Sequence, residues 1–204
     1  MSELKKSYHH GDLRQSLQQA AVEIIRSGGI EALSMRKLAD KVGVSRSAPY
    51  HHFADKHELL CAIAEQGFVL QGQAVAAEQG DHQSIQVQMR QFVNAYVSWA
   101  VDHPEYYNLM FGGDIWKSNE VPDTFKNQSH RYFRNYVERV EGWRDGGMID
   151  LSVEPLRFAQ VSWSTIHGLA RLIIDGIYVD RKALQAMCDS AVDMFLASAP
   201  AAGS

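Results

Sequence analysis

The sequence predicts an all-α protein in two parts, a small three-helix unit over residues 1–54 and a larger helical body over residues 55–204. Three observations carry this. Apolar residues recur at three- and four-residue spacing along nearly the whole chain, and no stretch alternates with the period of two that a half-buried strand needs. Glycine pairs at Gly28-Gly29, Gly112-Gly113 and Gly146-Gly147 punctuate the pattern, because glycine takes the left-handed conformation that ends helices. Charge is also uneven: residues 1–60 hold nine Lys/Arg against seven Asp/Glu, the remainder eleven against seventeen, within a net charge of −4.

The elements follow in order. Leu13, Leu17, Ala20, Ala21, Ile24 and Ile25 put residues 12–27 on one amphipathic helix that stops at Gly28-Gly29. Ser34 caps a short helix whose inward face is Met35, Leu38, Ala39 and Val42, and Gly43 breaks it. Ser45 caps a third, very short helix over residues 46–52. Asp55 opens a fourth, with Glu58 three residues on as in a capping box, and Leu59, Leu60, Ile63, Ala64 and Phe68 form its apolar face. Residues 77–83 are polar and read as a loop. Helices follow over 84–102, from Pro104 to Phe111, over 122–144, and over 154–176 and 181–198, before an Ala/Ser/Gly tail at 197–204.

Hydrophobic residues make up 46% of the chain, an ordinary value for a globular protein. No apolar run approaches the ~20 residues that cross a bilayer, and the N-terminus lacks a signal-peptide core, so no membrane association and a cytoplasmic location are expected. Cys61 and Cys188 lie in apolar helical patterns and read as buried free thiols.

The stretch from Ser34 to Leu60 carries the most information. It reads as helix, glycine turn, helix. Gly43 permits the turn, and Val44 can tuck between the helices. The second helix has almost no apolar residue on its outer face and offers Arg46, Ser47, His51 and His52 instead. A helix of that kind can lie in a DNA major groove, where arginine and short polar side chains meet base edges. Helix N-termini at Ser34, Ser45 and Asp55 can direct N–H groups at phosphates, although Asp55, being acidic, reads as a cap alone. The mildly basic head joined to an acidic body fits such a division.

These residues resemble the TetR family of bacterial regulators. Ser34, Leu38, Ala39, Gly43, Val44, Ser45, Tyr50, His52, Phe53, Lys56, Leu59 and Leu60 match that pattern in register, and the resemblance covers about residues 10–68. It implies an N-terminal helix-turn-helix DNA-binding domain and a C-terminal helical domain for effector binding and dimerisation. It also implies that Tyr50, His52 and Lys56 contact phosphates and that Ser34 anchors another. Arg46, Ser47 and His51 then face the groove, Lys5 and Lys6 precede helix 1 near the backbone, and Arg36 and Ser45 complete the candidate DNA-binding set. Pro49 lies about four residues into the expected recognition helix and removes one N–H, which bears on the docking angle.

In the body, 12 of the 20 aromatic residues fall between Phe92 and Trp143. Aromatics on successive helices can line a cavity for a small organic ligand, or simply fill the core. Effectors of TetR-like regulators generally bind in this part of the chain, so Tyr96, Trp99, Tyr107, Phe111, Trp116, Phe125, Phe133, Tyr136, Trp163 and His167 are the candidate lining, and a largely apolar effector is expected. The stretch from His103 to Gly112 and the Trp163-x-x-x-His167-Gly168 signature resemble recurring pieces of one C-terminal subgroup of the family. Trp163 and His167 share a helix face. His167 can bond an effector, or satisfy a backbone group in the core or at a dimer seam. Gly168 allows close approach of a neighbouring helix. The last two helices, 154–176 and 181–198, carry more apolar surface than one stripe needs, and by resemblance they pair with the same helices of a second chain.

The pairs His9-His10 and His51-His52 lack metal-ligand spacing, so no metal is expected, nor any cofactor. No nucleophile motif or phosphate loop points to an enzyme. The expected partners are a double-stranded DNA operator, a small-molecule effector and a second copy of the chain. A constitutive DNA-binding or protein-bridging factor on the same fold is the alternative.

Overall fold

In the computed structural model the chain is described over residues 10–77, 84–118, 120–147, 154–178 and 180–197, and the regular elements among them are all helical. The expected loop at 77–83, Lys5, Lys6, His9 and most of the tail lie outside the described residues.

Helix α1 (His10–Gly28) buries Leu17, Ala20, Ala21, Ile24 and Ile25, the stripe that the spacing marks. Gly29 leaves it at φ 75°, and a 3-10 turn at Ile30–Ala32 follows. Helix α2 (Met35–Val42) packs on α1; its cap Ser34 accepts the Lys37 N–H at 3.2 Å, and Met35, Leu38 and Ala39 are buried. Gly43 ends α2 at φ 77°, where nothing lies within 4 Å of a would-be Cβ, so the backbone angle alone requires glycine. Helix α3 (Lys56–Ala77) opens with reciprocal bonds: Asp55 Oδ1 accepts the Glu58 N–H at 2.8 Å, and Glu58 Oε2 accepts the Ala54 N–H at 2.6 Å. By length and composition α3 could cross a membrane, which corrects the reading that no run approaches that length. Leu59, Leu60, Ile63, Ala64 and Phe68 are buried, and a core helix passes the same test.

Helix α4 (Ile85–Asp102) is capped by the Ser84 hydroxyl and packs against α8 (Pro155–Ile174) and α9 (Leu184–Ala197), which also meet each other. Between them in sequence come α5 (Pro104–Phe111), α6 (Gly113–Trp116) and α7 (Asp123–Asp145). The sequence marks Gly112-Gly113 as a stop; the chain instead turns at Gly112 and adds the short α6. A Cβ at Gly112 would lie 2.2 Å from the Asn108 carbonyl oxygen, so only glycine fits. A 3-10 turn, Arg181–Ala183, precedes α9 where the pattern predicts one continuous helix.

Residues up to Gln66 together with Glu105–Phe125 form one compact unit; Gly67–Pro104 with the residues from Lys126 onward form the other. This division of contacts falls inside α3. In the first unit Leu17, Leu38, Phe53, Leu59, Tyr107, Met110 and Phe125 are buried, and Arg26 Nη2 meets the buried Glu105 carboxylate at 2.5 Å. In the second, Phe68, Met89, Val93, Tyr96, Val97, Ile166, Cys188 and Val192 are buried. Cys61 and Cys188 are free, and burial pushes both thiols up to about 11. Among the described residues nothing stands close to Gly168, where a Cβ would meet nothing within 4 Å.

Candidate DNA-binding element and ligand cavity

The turn after α2 departs from the expected α-helix over 46–52. Residues Ala48–His51 form a 3-10 turn, preceded by Ser47 and not capped by Ser45. Pro49 supplies the reason. It has no N–H to donate to the Ser45 carbonyl, so the α-helical ladder cannot start there. The bonds that form are one residue shorter: Ala48 N–H to Ser45 O at 3.0 Å and Tyr50 N–H to Ser47 O at 3.1 Å. Ser45 and Ser47 spend their hydroxyls on each other, 3.2 Å apart. Pro49 and Phe53 are buried beneath this turn, while Ser45, Arg46, Ser47, Tyr50 and His51 are exposed and His52 is half-buried.

The turn is fixed from below. The Arg14 guanidinium lies 4.3 Å from the Phe53 ring centroid and donates to the His52 carbonyl at 2.6 Å. Lys56 Nζ donates to the Ile30 carbonyl at 2.8 Å, so this expected phosphate contact is also a tie within the unit. Ser34 and Arg36 are exposed at the start of α2. Lys6 lies outside the described residues. The clamp by Arg14 is the feature that the sequence reading misses; nothing local marks a pairing between residues 38 positions apart.

The second unit holds a cavity of about 90 Å³ lined by Gly72 and Val75 of α3, Phe92 and Tyr96 of α4, Tyr132, Asn135, Tyr136 and Arg139 of α7, and Trp163 of α8. Its floor is aromatic: Phe92 and Tyr136 stack with centroids 4.9 Å apart, and Trp143 sets its edge against both. Beside it the buried Gln71 amide donates to the Tyr96 carbonyl at 3.2 Å and accepts from the Tyr132 hydroxyl at 2.8 Å. The Tyr136 hydroxyl and the Ser162 hydroxyl lie 2.8 Å apart, and burial pushes the Tyr136 phenol up to about 12, so it stays neutral.

Of the ten expected lining residues, the structure brings Tyr96, Tyr136 and Trp163 to this cavity. Phe133 sets its edge against Trp163, and His167 stacks on Trp163 at 4.9 Å, behind the wall. Burial and then Arg171 push His167 down to about 4, so its ring is neutral at pH 7. Trp99 is buried against His103. Tyr107, Phe111, Trp116 and Phe125 belong to the first unit, where they pair as Tyr107–Phe111 and Trp116–Phe125, because residues 105–125 join that unit. Gly72, Val75, Phe92, Tyr132, Asn135 and Arg139 line the cavity without being among the candidates, and Arg139 is the charged one. Its signal was available: Tyr132, Tyr136, Arg139 and Trp143 fall at helical spacing, a charge on an aromatic stripe.

Comparison with known proteins bears on both sites. Residues 17–63 match the family of bacterial regulatory proteins described as tetR, and residues 89–195 match the tetracyclin repressor-like C-terminal domain. The chain belongs to the TetR family, with the family's helix-turn-helix domain at its N-terminus. Members of this family bind DNA operators and generally act as dimers. The tetracycline repressor protein class C of Escherichia coli is 40% identical over 52 residues, 26% of this chain and 24% of that protein. The HTH-type transcriptional repressor AcnR of Corynebacterium diphtheriae is 35% identical over 63 residues, 31% and 33% of the two chains. The chain thus covers about a quarter to a third of these relatives. Among solved structures, a protein with unknown function from Rhodococcus sp. RHA1 superposes with a TM-score of 0.84 at 29% identity, over 97% of this chain and 100% of that one. The fatty acid degradation regulator FadR of Bacillus halodurans shares the fold, with a TM-score of 0.74 at 13% identity over 93% and 97%.

Proposed function

We propose that this regulator is a homodimeric, cytoplasmic repressor that holds a near-palindromic operator and leaves it when a small, largely apolar effector fills the cavity of the 67–77, α4, α7 and α8 helices. The observation that carries this reading is the turn at 45–52: its underside is buried on Pro49 and Phe53, while Arg46, Ser47, Tyr50 and His51 face outward with no apolar surface among them except the Tyr50 ring. Residues 1–54 act as the DNA-binding domain and 55–204 as the effector and dimer domain. Arg46, Ser47 and His51 read base edges, while Lys6, Ser34, Arg36, Ser45, Tyr50, His52 and Lys56 hold phosphates.

Dimerisation runs through α8 and α9. Val161 is 61% exposed and Met194 69%, and the open space over Gly168 lies on the same face of α8 as Val161. A two-fold dimer presents two recognition turns to successive major grooves, about 34–36 Å apart or a multiple of that. The effector favours a different tilt of α3 and with it a different spacing of the turns. It does so only if it binds the two arrangements with unequal affinity.

The test is selection from a random duplex pool with the purified protein, followed by a salt titration on the winner. A two-fold symmetric site whose affinity falls steeply with salt supports the reading. Absence of any enriched site refutes it. The alternative, a factor that needs no effector, draws on the small cavity: about 90 Å³ is below the ~150 Å³ of an engineered cavity that takes benzene. The Nucleoid occlusion factor SlmA of Marinobacter nauticus is 24% identical over 70% of this chain and 71% of that protein. Failure of every small molecule to release the operator would favour that alternative.

A further inference from the structure

We propose that Arg139 is the anchor for an anionic group, and that the cavity takes a compact monocarboxylate with a flat apolar body. This rests on the cavity being the effector site and names the class of ligand that it accepts.

Four arginines elsewhere in the chain pair with carboxylates, whereas Arg14 lies over an aromatic ring and bonds a carbonyl. Arg26 pairs with Glu105, Arg90 with Asp189 and Asp193, Arg144 with Asp145, and Arg171 with Asp175. Among the described residues Arg139 has no such partner. Its guanidinium lies 5.2 Å from the Phe92 ring centroid, and the groups acting on its charge are the phenols of Tyr136 and Tyr132. Burial is the leading influence on it, where for Arg26 and Arg90 a carboxylate bond leads. An arginine cannot shed its proton, so a half-buried guanidinium with no carboxylate against it among the described residues is a place where an incoming anion gains a partner.

The neighbours favour a carboxylate. Asn135 lies one helical turn before Arg139 on α7 and also lines the cavity, so a side-chain amide and a planar fork of donors share one wall. The Tyr132 and Tyr136 hydroxyls are engaged with Gln71 and Ser162. The rest of the wall is apolar: Gly72, Val75, Phe92, Tyr96 and Trp163. One cation matches one negative charge, which disfavours a phosphate dianion in so apolar a space. Size sets the remainder. A volume of about 90 Å³ is below the ~150 Å³ that encloses benzene, so a ligand of benzoate's size seats its carboxylate and the near edge of its ring there and leaves the far edge at the mouth, where Asn135 is exposed.

The experiment uses the full-length protein with benzoate, its neutral isostere benzyl alcohol and the cation benzylamine, read by calorimetry and by thermal melting. Benzoate is expected to bind at least tenfold more tightly than benzyl alcohol, with no binding of benzylamine. Arg139→Met is expected to abolish that preference while melting at or above the wild-type temperature without ligand, because it removes an uncompensated charge. Arg134→Gln, an exposed residue of the same helix outside the cavity, is expected to bind benzoate as the wild type does. Equal binding of benzoate and benzyl alcohol by the wild type, or an undiminished benzoate preference in Arg139→Met, overturns the proposal and leaves the cavity reading standing. Binding of none of the three probes overturns the cavity reading and the proposal with it.

Discussion

The Arg26–Glu105 pair offers a test in which two halves of one interaction should behave differently. The Glu105 side chain is 2% exposed, whereas that of Arg26 is 56% exposed, although the two meet at 2.5 Å. Removing the carboxylate by Glu105→Gln leaves an arginine that can turn into water. The loss is then close to that of one charge-assisted hydrogen bond, about 1.5–3 kcal/mol, with the lower end favoured by the exposure of Arg26. Removing the guanidinium by Arg26→Met leaves a carboxylate in its buried position, and breaking a buried pair from that side costs about 3–5 kcal/mol. The exposed Arg26 end discounts this figure, yet the order stands: Arg26→Met should destabilise more than Glu105→Gln by about 1–2 kcal/mol. Urea unfolding at pH 7 measures it, with the slope checked so that a shift in midpoint reports stability alone. Equal losses, or a larger loss in Glu105→Gln, would show that burial does not govern this pair.

Three further outcomes follow from other sites. His167 is held down to about 4 against an ordinary 6.5, so the folded state favours its neutral form; the contribution is complete above about pH 6.5, is lost as pH falls toward 4, and amounts to on the order of 2–3 kcal/mol. Urea midpoints at pH 7 and pH 4.5 should differ less in His167→Gln than in the wild type, and an identical difference would refute the assignment. Gly43→Ala should cost about 1–2 kcal/mol through its positive φ alone, seen as a lower melting temperature with unchanged helical circular dichroism. Val161→Glu with Met194→Glu should yield a folded monomer in analytical ultracentrifugation; a dimer of undiminished affinity would place the interface elsewhere.

What the sequence discloses here is what is local. Ser34, Gly43 and the Asp55–Glu58 box act within a turn of themselves, and each does what its chemistry and spacing indicate. The 3-10 turn at 48–51 was legible in principle. Pro49 stands in the sequence as one lost N–H, and in so short a helix that loss removes the bond from which an α-helix would propagate. The cavity was harder. Its polar wall joins Gln71 to Tyr132 and Tyr136 to Ser162, contacts made 61 and 26 residues apart, which no periodicity encodes. Grouping aromatics by sequence neighbourhood also drew Tyr107, Phe111, Trp116 and Phe125 toward the cavity, whereas residues 105–125 fold with the first unit.

Gln71 constrains the kind of movement open to its helix. Its amide has two ends of opposite character, and both are used: the nitrogen on a carbonyl of α4, the oxygen on a phenol of α7. It is fully buried, so no water stands ready to replace either bond. Sliding residues 67–77 along their own axis by one position would strand both ends of the amide, the Tyr132 hydroxyl and a dry environment around them. Rotation about that point asks for neither bond to break. The amide therefore works as a bolt through three helices, which forbids a piston stroke and leaves a pivot as the permitted motion.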